Sequence, residues 1–144
     1  MADIVHEFTI NAPRKKVFEM VSTPKGLDLW WTKTSSGEAK KDAEFELDFG
    51  PGYVWRAKVK KCDPPALIEF EITDAQKDWF ETRVGFVLEA EKNGVTRVRF
   101  HHTGWPVGNK HWRVSNFCWA MYLRIMRRYL EYGEEVAYEK RLEV

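Results

Sequence analysis

Histidines are the residues of this sequence best suited to acid–base or metal chemistry at neutral pH. Three of the four, His101, His102 and His111, lie close together. Neighbouring residues of a β-strand point to opposite faces, so His101 and His102 cannot chelate one ion without a bulge, and we expect no metal site. His102 shares a face with Val98 and Phe100. Two roles stay open for it: a hydrogen-bonded histidine near a strand end, or a polar group that faces a ligand.

Other catalytic patterns do not occur. The sequence has no glycine-rich phosphate loop, no HExxH, no paired-cysteine zinc pattern and no GxSxG elbow. The acidic residues of the predicted strands alternate onto the outward face: Glu44, Glu46, Glu69, Glu71 and Glu81. An enzyme that needs an acid or base on the inner face would therefore depend on His102, and one histidine does not specify a reaction. We assign no catalytic residue and expect no cofactor.

Composition excludes several classes of protein. The 144 residues predict one domain spanning 1–144, and the net charge of +1 argues against nucleic-acid binding. Cys62 and Cys118 form neither a disulfide framework nor a zinc-finger spacing, which favours reduced thiols and a cytoplasmic location. No signal peptide or membrane span is predicted. Seven Trp, nine Phe and five Tyr, 15% of the chain, indicate rings that fill a core or line a pocket.

Two periodicities predict the elements that position these residues. Apolar and charged residues alternate through the middle of the chain, as in an antiparallel sheet with one wet face. The presumed inner face includes Phe49, Trp55, Phe70, Phe80, Thr82 and Phe100. Short helices are predicted after the first strand, over Val17–Val21 and Gly26–Trp31, and Asn93-Gly94 predicts a hairpin.

A helix from about Lys110 to about Gly133 follows the last strand. Its apolar stripe runs at spacings of 4, 3, 4, 3 and 4 through Trp112, Asn116, Trp119, Leu123, Met126 and Leu130. A helix of this kind needs a partner, and the apolar face of the sheet is the one large enough. Asn116 is polar in this stripe, so its amide needs partners from the sheet, water or a ligand.

Short motifs in a fixed order resemble the START-like superfamily of birch-pollen-allergen-type proteins and polyketide cyclases. Within it, the chain is most similar to the domain named after the activator of heat-shock-protein-90 ATPase. The motifs are Ile10-Asn11-Ala12-Pro13 before Val17-Phe18, Thr23-Pro24-Lys25-Gly26-Leu27 before Trp30-Trp31, Asp63-Pro64-Pro65 with Leu67, Thr96 and Val98, His102-Thr103-Gly104-Trp105, and Trp119 with Leu123. They span nearly the whole chain.

The resemblance implies an α+β helix-grip fold, in which a curved antiparallel sheet wraps around the long C-terminal helix. It also implies a hydrophobic cavity between the sheet and that helix for a lipid-like or aromatic molecule. We therefore predict a ligand site there, formed by Trp30, Phe49, Trp55, Phe70, Phe80, Thr82, Phe100, His102, Trp112, Asn116 and Trp119. The same rings could instead fill the space, and Trp30 could simply anchor the second short helix.

The family name suggests a chaperone partner as an alternative. In the named activator, chaperone stimulation depends on a further N-terminal domain, and this sequence starts directly in its first predicted strand. We therefore expect a module that binds a hydrophobic small molecule. Two alternatives are kept: a chaperone-associated or stress-response interaction module, and an enzyme of the cyclase or hydrolase kind, which the superfamily resemblance implies and which would use His102.

Overall fold

Seven β-strands form the scaffold in the computed structural model, which describes residues 2–144. They are β1 (Ala2–Ile10), β2 (Thr34–Ser36), β3 (Glu44–Asp48), β4 (Val54–Asp63), β5 (Leu67–Asp74), β6 (Arg83–Ala90) and β7 (Thr96–Trp105). They make one antiparallel sheet in the order β1-β7-β6-β5-β4-β3-β2. Strands β2 to β7 form a meander, and β1 returns to pair with β7.

The three α-helices are α1 (Arg14–Ser22), α2 (Pro24–Leu27) and α3 (Lys110–Tyr132). Helix α3 begins where the side chain of Asn109 accepts a hydrogen bond from the backbone N–H of Trp112 at 2.9 Å. It ends at Gly133, whose φ of 70° is the left-handed conformation that glycine adopts without a steric penalty. The predicted span of the long helix is confirmed.

The hydrophobic core lies between the sheet and α3. Trp119, Leu123 and Met126 of α3 are 2%, 3% and 0% exposed, as their spacing predicted. The sheet meets them with side chains that alternate inward and are buried: Phe45, Ala57, Phe70, Phe86 and Phe100. The α+β helix-grip architecture is therefore confirmed.

The prediction that Phe80 lies on the inner face of a strand is wrong. Strand β6 begins at Arg83, and residues 76–82 form a turn in which the backbone N–H of Phe80 donates to the carbonyl of Gln76. Glu81 has a φ of 67°, which breaks the extended alternation before the strand starts. Phe80 is consequently 50% exposed, and its neighbour Trp79 is buried in its place.

Smaller differences concern short elements. Helix α2 begins at Pro24 and ends at Leu27, earlier than predicted, because the side chain of Thr23 caps it by accepting from the N–H of Gly26 at 3.0 Å. The hairpin at Asn93-Gly94 forms with a longer loop that contains a 3₁₀ turn over Lys92–Gly94. Strand β2 is short and polar and carries no alternation signal.

A second 3₁₀ turn, Tyr138–Glu143, follows α3 and packs against the segment after α2. Its Arg141 is 4% exposed and donates to the carbonyls of Thr32 and Asp28 at 3.0 and 2.6 Å. Tyr138 donates to the carbonyl of Phe49 at 2.9 Å. Between residues 2 and 144, no helix is long and apolar enough to cross a membrane.

Candidate functional site

Aromatic rings occupy the space between the sheet and α3. Trp30, Phe100 and Trp119 are each 2% exposed or less. The ring centroids of Phe100 and Trp119 lie 4.5 Å apart, and those of Trp30 and Phe86 lie 5.9 Å apart in an edge-to-face arrangement. Trp30 also donates its indole N–H to the carbonyl of Met20 at 2.9 Å, so it anchors the end of α1 to the core.

His102 is fully buried in this core, and both of its ring nitrogens are hydrogen-bonded. The indole N–H of Trp119 donates to Nδ1 at 3.0 Å, so Nδ1 is the acceptor and Nε2 carries the proton. Nε2 then donates to Oγ1 of Thr82 at 2.8 Å, and that hydroxyl donates to the carbonyl of Trp79 at 2.5 Å. The prediction of a hydrogen-bonded histidine near the strand end is confirmed.

Burial also determines the charge of His102. Desolvation of the ring, assisted by the neighbouring histidines His101 and His111, lowers the pKa of His102 to about 3. The ring is therefore neutral at physiological pH. Contact between His102 and a ligand would require one of its two hydrogen bonds to break.

An open pocket of about 220 Å³ lies beside the core, between α3 and the turn before β6. We call it the aromatic pocket. Its lining comprises Trp31, Trp79, His111, Val114, Ser115, Cys118, Trp119 and Tyr122. Trp79 and Trp119 stack with centroids 5.8 Å apart, and Trp31 lies 5.1 Å from Trp119. These two indoles, Trp79 and Trp119, therefore contact the core on one side and line the pocket on the other.

Polar groups at the aromatic pocket are few. The indole N–H of Trp79 is buried and has no hydrogen-bond partner among the described residues. Burial raises the pKa of the Cys118 thiol and of the Tyr122 hydroxyl, so both keep their protons at neutral pH. Ser115 is 7% exposed and is the buried polar residue of this part of α3.

A carboxylate–imidazole pair borders the aromatic pocket. Nδ1 of His111 lies 3.1 Å from Oδ2 of Asp78. The side-chain N–H of Asn109 donates to the same oxygen at 3.2 Å. These hydrogen bonds, with that from His111 the larger cause, lower the pKa of Asp78. Trp105 packs edge-on to the imidazole of His111, with the centroids 5.4 Å apart.

The predicted site residues separate into three groups. Six are buried in the core: Trp30, Phe70, Thr82, Phe100, His102 and Trp119. Four are half-buried: Phe49, Trp55, Trp112 and Asn116. Of the eleven, Trp119 lines the aromatic pocket, and Phe80 is exposed. Their common role as a ligand site between the sheet and α3 stays a prediction.

A second periodic stripe on α3 could have predicted several of the pocket residues that the sequence analysis did not identify. His111, Ser115, Cys118 and Tyr122 follow spacings of 4, 3 and 4 on α3, which gives a second stripe beside that of Trp119. Trp79 had no such signal, because the alternation that placed Phe80 inward assigned its neighbour to the outer face.

A third histidine lies on the outer face of the sheet. Nε2 of His101 is 2.9 Å from Oε2 of Glu69, whose other oxygen accepts from Arg83 at 3.1 Å. A side chain at Gly85 would overlap the imidazole of His101, so glycine allows that ring to lie over β6. Within residues 2–144, no group of three or more His, Cys, Asp or Glu side chains is placed to hold a metal ion.

Comparison with known families agrees with this architecture. The model of a family described as Activator of Hsp90 ATPase homolog 1-like protein matches residues 11–131. The chain belongs to this family. The resemblance found in the sequence motifs is thereby confirmed, and with it membership of the START-like superfamily. A search of curated proteins found no match to this chain.

Solved structures of similar proteins support the fold. The Aha1 dimer from Colwellia psychrerythraea is 28% identical, with a TM-score of 0.84 and coverage of 93% of this chain and 99% of that chain. The protein BH1534 from Bacillus halodurans is 26% identical, with a TM-score of 0.76 and coverage of 91% and 98%.

DynU16, a protein of the dynemicin biosynthetic locus, shares the fold at 20% identity and a TM-score of 0.77. The match covers 94% of this chain and 50% of DynU16. At this identity the likeness concerns the fold alone.

Proposed function

We propose that this protein binds a small, flat aromatic or apolar molecule in the aromatic pocket. The observation that carries the proposal is the lining: the rings of Trp31, Trp79, Trp119 and Tyr122 surround one open space. Ligand sites are mostly apolar and aromatic, with a few polar groups that fix orientation. We also propose that residues 1–144 act as one domain in the cytoplasm, which the free thiols of Cys62 and Cys118 support.

The size of the aromatic pocket limits the ligand. Its volume of about 220 Å³ is below the range of roughly 300–1,000 Å³ typical of sites for drug-sized molecules. We therefore expect a molecule of about two fused rings. A ligand oxygen at the wall formed by Trp79 would give the unpartnered indole N–H an acceptor if that ring tilts toward the pocket. The relation of DynU16 to a biosynthetic locus is compatible with a small-molecule ligand.

The two cysteines allow a direct test. Cys118 lines the aromatic pocket, whereas Cys62 lies in β4, where its thiol donates to the carbonyl of Ala39 at 3.4 Å. The variants C62S and C118S each keep one thiol, and the bicyclic ketone 2-tetralone serves as the ligand probe. At ten times its dissociation constant, 2-tetralone should slow alkylation of Cys118 by iodoacetamide about tenfold and leave Cys62 unaffected.

Two outcomes of the alkylation experiment would contradict binding in the aromatic pocket. Equal slowing at both cysteines would mean global stabilisation or binding elsewhere. No slowing at Cys118, although 2-tetralone binds by tryptophan fluorescence, would exclude the aromatic pocket as its site.

A second candidate function is contact with an Hsp90-type chaperone. The family match favours it, and Phe117 and Val114 offer exposed apolar surface on α3, at 77% and 49% exposure. Adding a purified Hsp90-type chaperone to the ¹⁵N-labelled protein tests this function. Broadening of the amide signals of α3 would support it, and an unchanged spectrum at high chaperone concentration would oppose it.

A further inference from the structure

The geometry at Asp78 fixes which ring nitrogen of His111 faces the carboxylate, and so the tautomer of the neutral imidazole. The lowered pKa of Asp78 keeps that group a carboxylate at neutral pH, and a carboxylate can only accept hydrogen bonds. Nδ1 of His111, 3.1 Å away, is therefore the donor and carries the proton. No residue from 2 to 144 forms a hydrogen bond with Nε2 of His111, so this nitrogen keeps a free lone pair in the neutral ring.

The pair is held in place by its surroundings. Asn109 caps α3 through its side-chain oxygen and donates through its side-chain nitrogen to Asp78. Trp105 packs edge-on against the imidazole, at an interplanar angle of 84°. The side chains of His111 and Asp78 remain 34% and 24% exposed, so the pair is still accessible. Such a pair has the orientation that general-base catalysis by histidine needs.

The other groups of the aromatic pocket narrow the possible chemistry. The raised pKa of Cys118 keeps its thiol protonated and therefore a weak nucleophile. No hydrogen bond joins the hydroxyl of Ser115 to a base among the described residues, so nothing activates it. Proton transfer by the imidazole remains as the reaction that these side chains support.

We propose that His111, oriented by Asp78, acts as a general base toward a carbonyl compound bound in the aromatic pocket; this inference rests on the proposed function. Nε2 takes a proton from the carbon next to the carbonyl. The C–H bond breaks, an N–H bond forms, and the electron pair moves onto the carbonyl oxygen to give an enolate. The imidazolium then returns a proton to carbon, so the reaction is an isomerisation or an exchange and needs no other reactant.

Hydrogen–deuterium exchange measures this step. In deuterium oxide, the protein should accelerate the loss of the hydrogens adjacent to the carbonyl of 2-tetralone, followed by ¹H NMR. At saturating 2-tetralone, H111Q should lower the protein-dependent rate by about a hundredfold or more, the usual contribution of a general base. The matched control is H101Q, which removes a histidine on the outer face of the sheet and should keep the full rate.

Asp78 is a positioning residue in this proposal and needs its own readout. D78N keeps the size of the side chain but allows an amide N–H to face Nδ1, which favours the tautomer protonated at Nε2. The ¹⁵N shifts of the His111 imidazole should report this change of tautomer. The exchange rate should fall while the affinity for 2-tetralone, measured by tryptophan fluorescence, is kept.

The outcomes separate the two proposals. Failure of 2-tetralone to bind would contradict the proposed function and the proton transfer together. Binding at the aromatic pocket with an exchange rate that H111Q leaves unchanged would overturn the catalytic role alone. An unchanged His111 tautomer in D78N would overturn the positioning role of Asp78.

Discussion

Two histidines contact the same indole ring and differ in almost every other property. The ring centroid of Trp105 lies 4.9 Å from that of His102 and 5.4 Å from that of His111. His102 is sealed in the core, with a pKa of about 3 and both nitrogens occupied. His111 borders an open pocket, donates through Nδ1 to a carboxylate and keeps Nε2 free.

The comparison distinguishes a polar network that stabilises the core from one that leaves a nitrogen free to react with a ligand. Both nitrogens of His102 and the hydroxyl of Thr82 are hydrogen-bonded, so this network specifies the packing of the core, and none of these three groups is free for a ligand. Asp78 orients His111 without enclosing it. A histidine on an inward strand face is therefore a weaker functional candidate than one in the first turn of a helix beside a pocket.

Trp119→Ala should have the largest effect on stability, because this ring is buried in the core and hydrogen-bonded to His102. Removing a buried indole typically costs about 3–5 kcal/mol, and here the change also leaves Nδ1 of His102 without its donor. Urea denaturation measures the loss. Phe117→Ala, at a 77% exposed position of the same helix, is the control and should stay within about 0.5 kcal/mol. An unchanged midpoint for Trp119→Ala would show that the ring is not part of the core.

Acid should destabilise the protein through His102. Because its pKa is lowered to about 3 in the folded state from 6.5, the unfolded chain binds more protons between these values. The contribution of His102 to the free energy of unfolding is therefore fully present above pH 6.5. It decreases as the pH is lowered below 6.5, by up to about 1.4 kcal/mol per pH unit. From pH 6.5 to about 5.5 this slope is separate from that of the carboxyls of lowered pKa, Glu7 and Asp78, because their ordinary values are 4.5 and 3.8 and they take up few protons in that interval. His102→Gln should flatten the slope in that interval, and an equal slope in both proteins would refute this assignment.

Thr82→Val should have a smaller effect on the same network. It leaves the Nε2 proton of His102 without an acceptor. It also removes one of two donors to the carbonyl of Trp79, which still accepts from the backbone N–H of Thr82 at 3.0 Å. The expected loss is about 1–3 kcal/mol in the free energy of unfolding. Thr73→Val, at a half-buried position of β5, changes the same atoms outside the network and serves as the control. Equal losses for the two variants would mean that the hydroxyl of Thr82 contributes nothing specific.

Cys118→Phe should block the aromatic pocket and leave the free energy of unfolding nearly unchanged. The new ring extends into an open space and displaces no core side chain, so we expect a change of about 0.5 kcal/mol or less. The affinity for 2-tetralone, measured by tryptophan fluorescence, should fall strongly. A large loss of stability with unchanged affinity would place Cys118 in the core and the ligand elsewhere.

The sequence predicted the fold better than the site, for physical reasons. Alternation in β4 to β7 and the stripe through Trp119 report burial directly, so they predicted the sheet and α3. The prediction that Phe80 faces inward failed because the turn at Glu81 places Trp79 inward instead. A backbone φ value such as that of Glu81 leaves no periodic signal in the sequence. Asp78 and His111 are distant in the chain, and the fold alone brings them to 3.1 Å.

Intermolecular nuclear Overhauser effects between 2-tetralone and the labelled protein test the central claim most directly. If the aromatic pocket is the ligand site, the ketone protons should show contacts to Trp31, Trp79 and Tyr122 and to the imidazole of His111. Contacts to Phe70 and Phe100 instead, both buried between the sheet and α3, would contradict the claim and would place the ligand in the core.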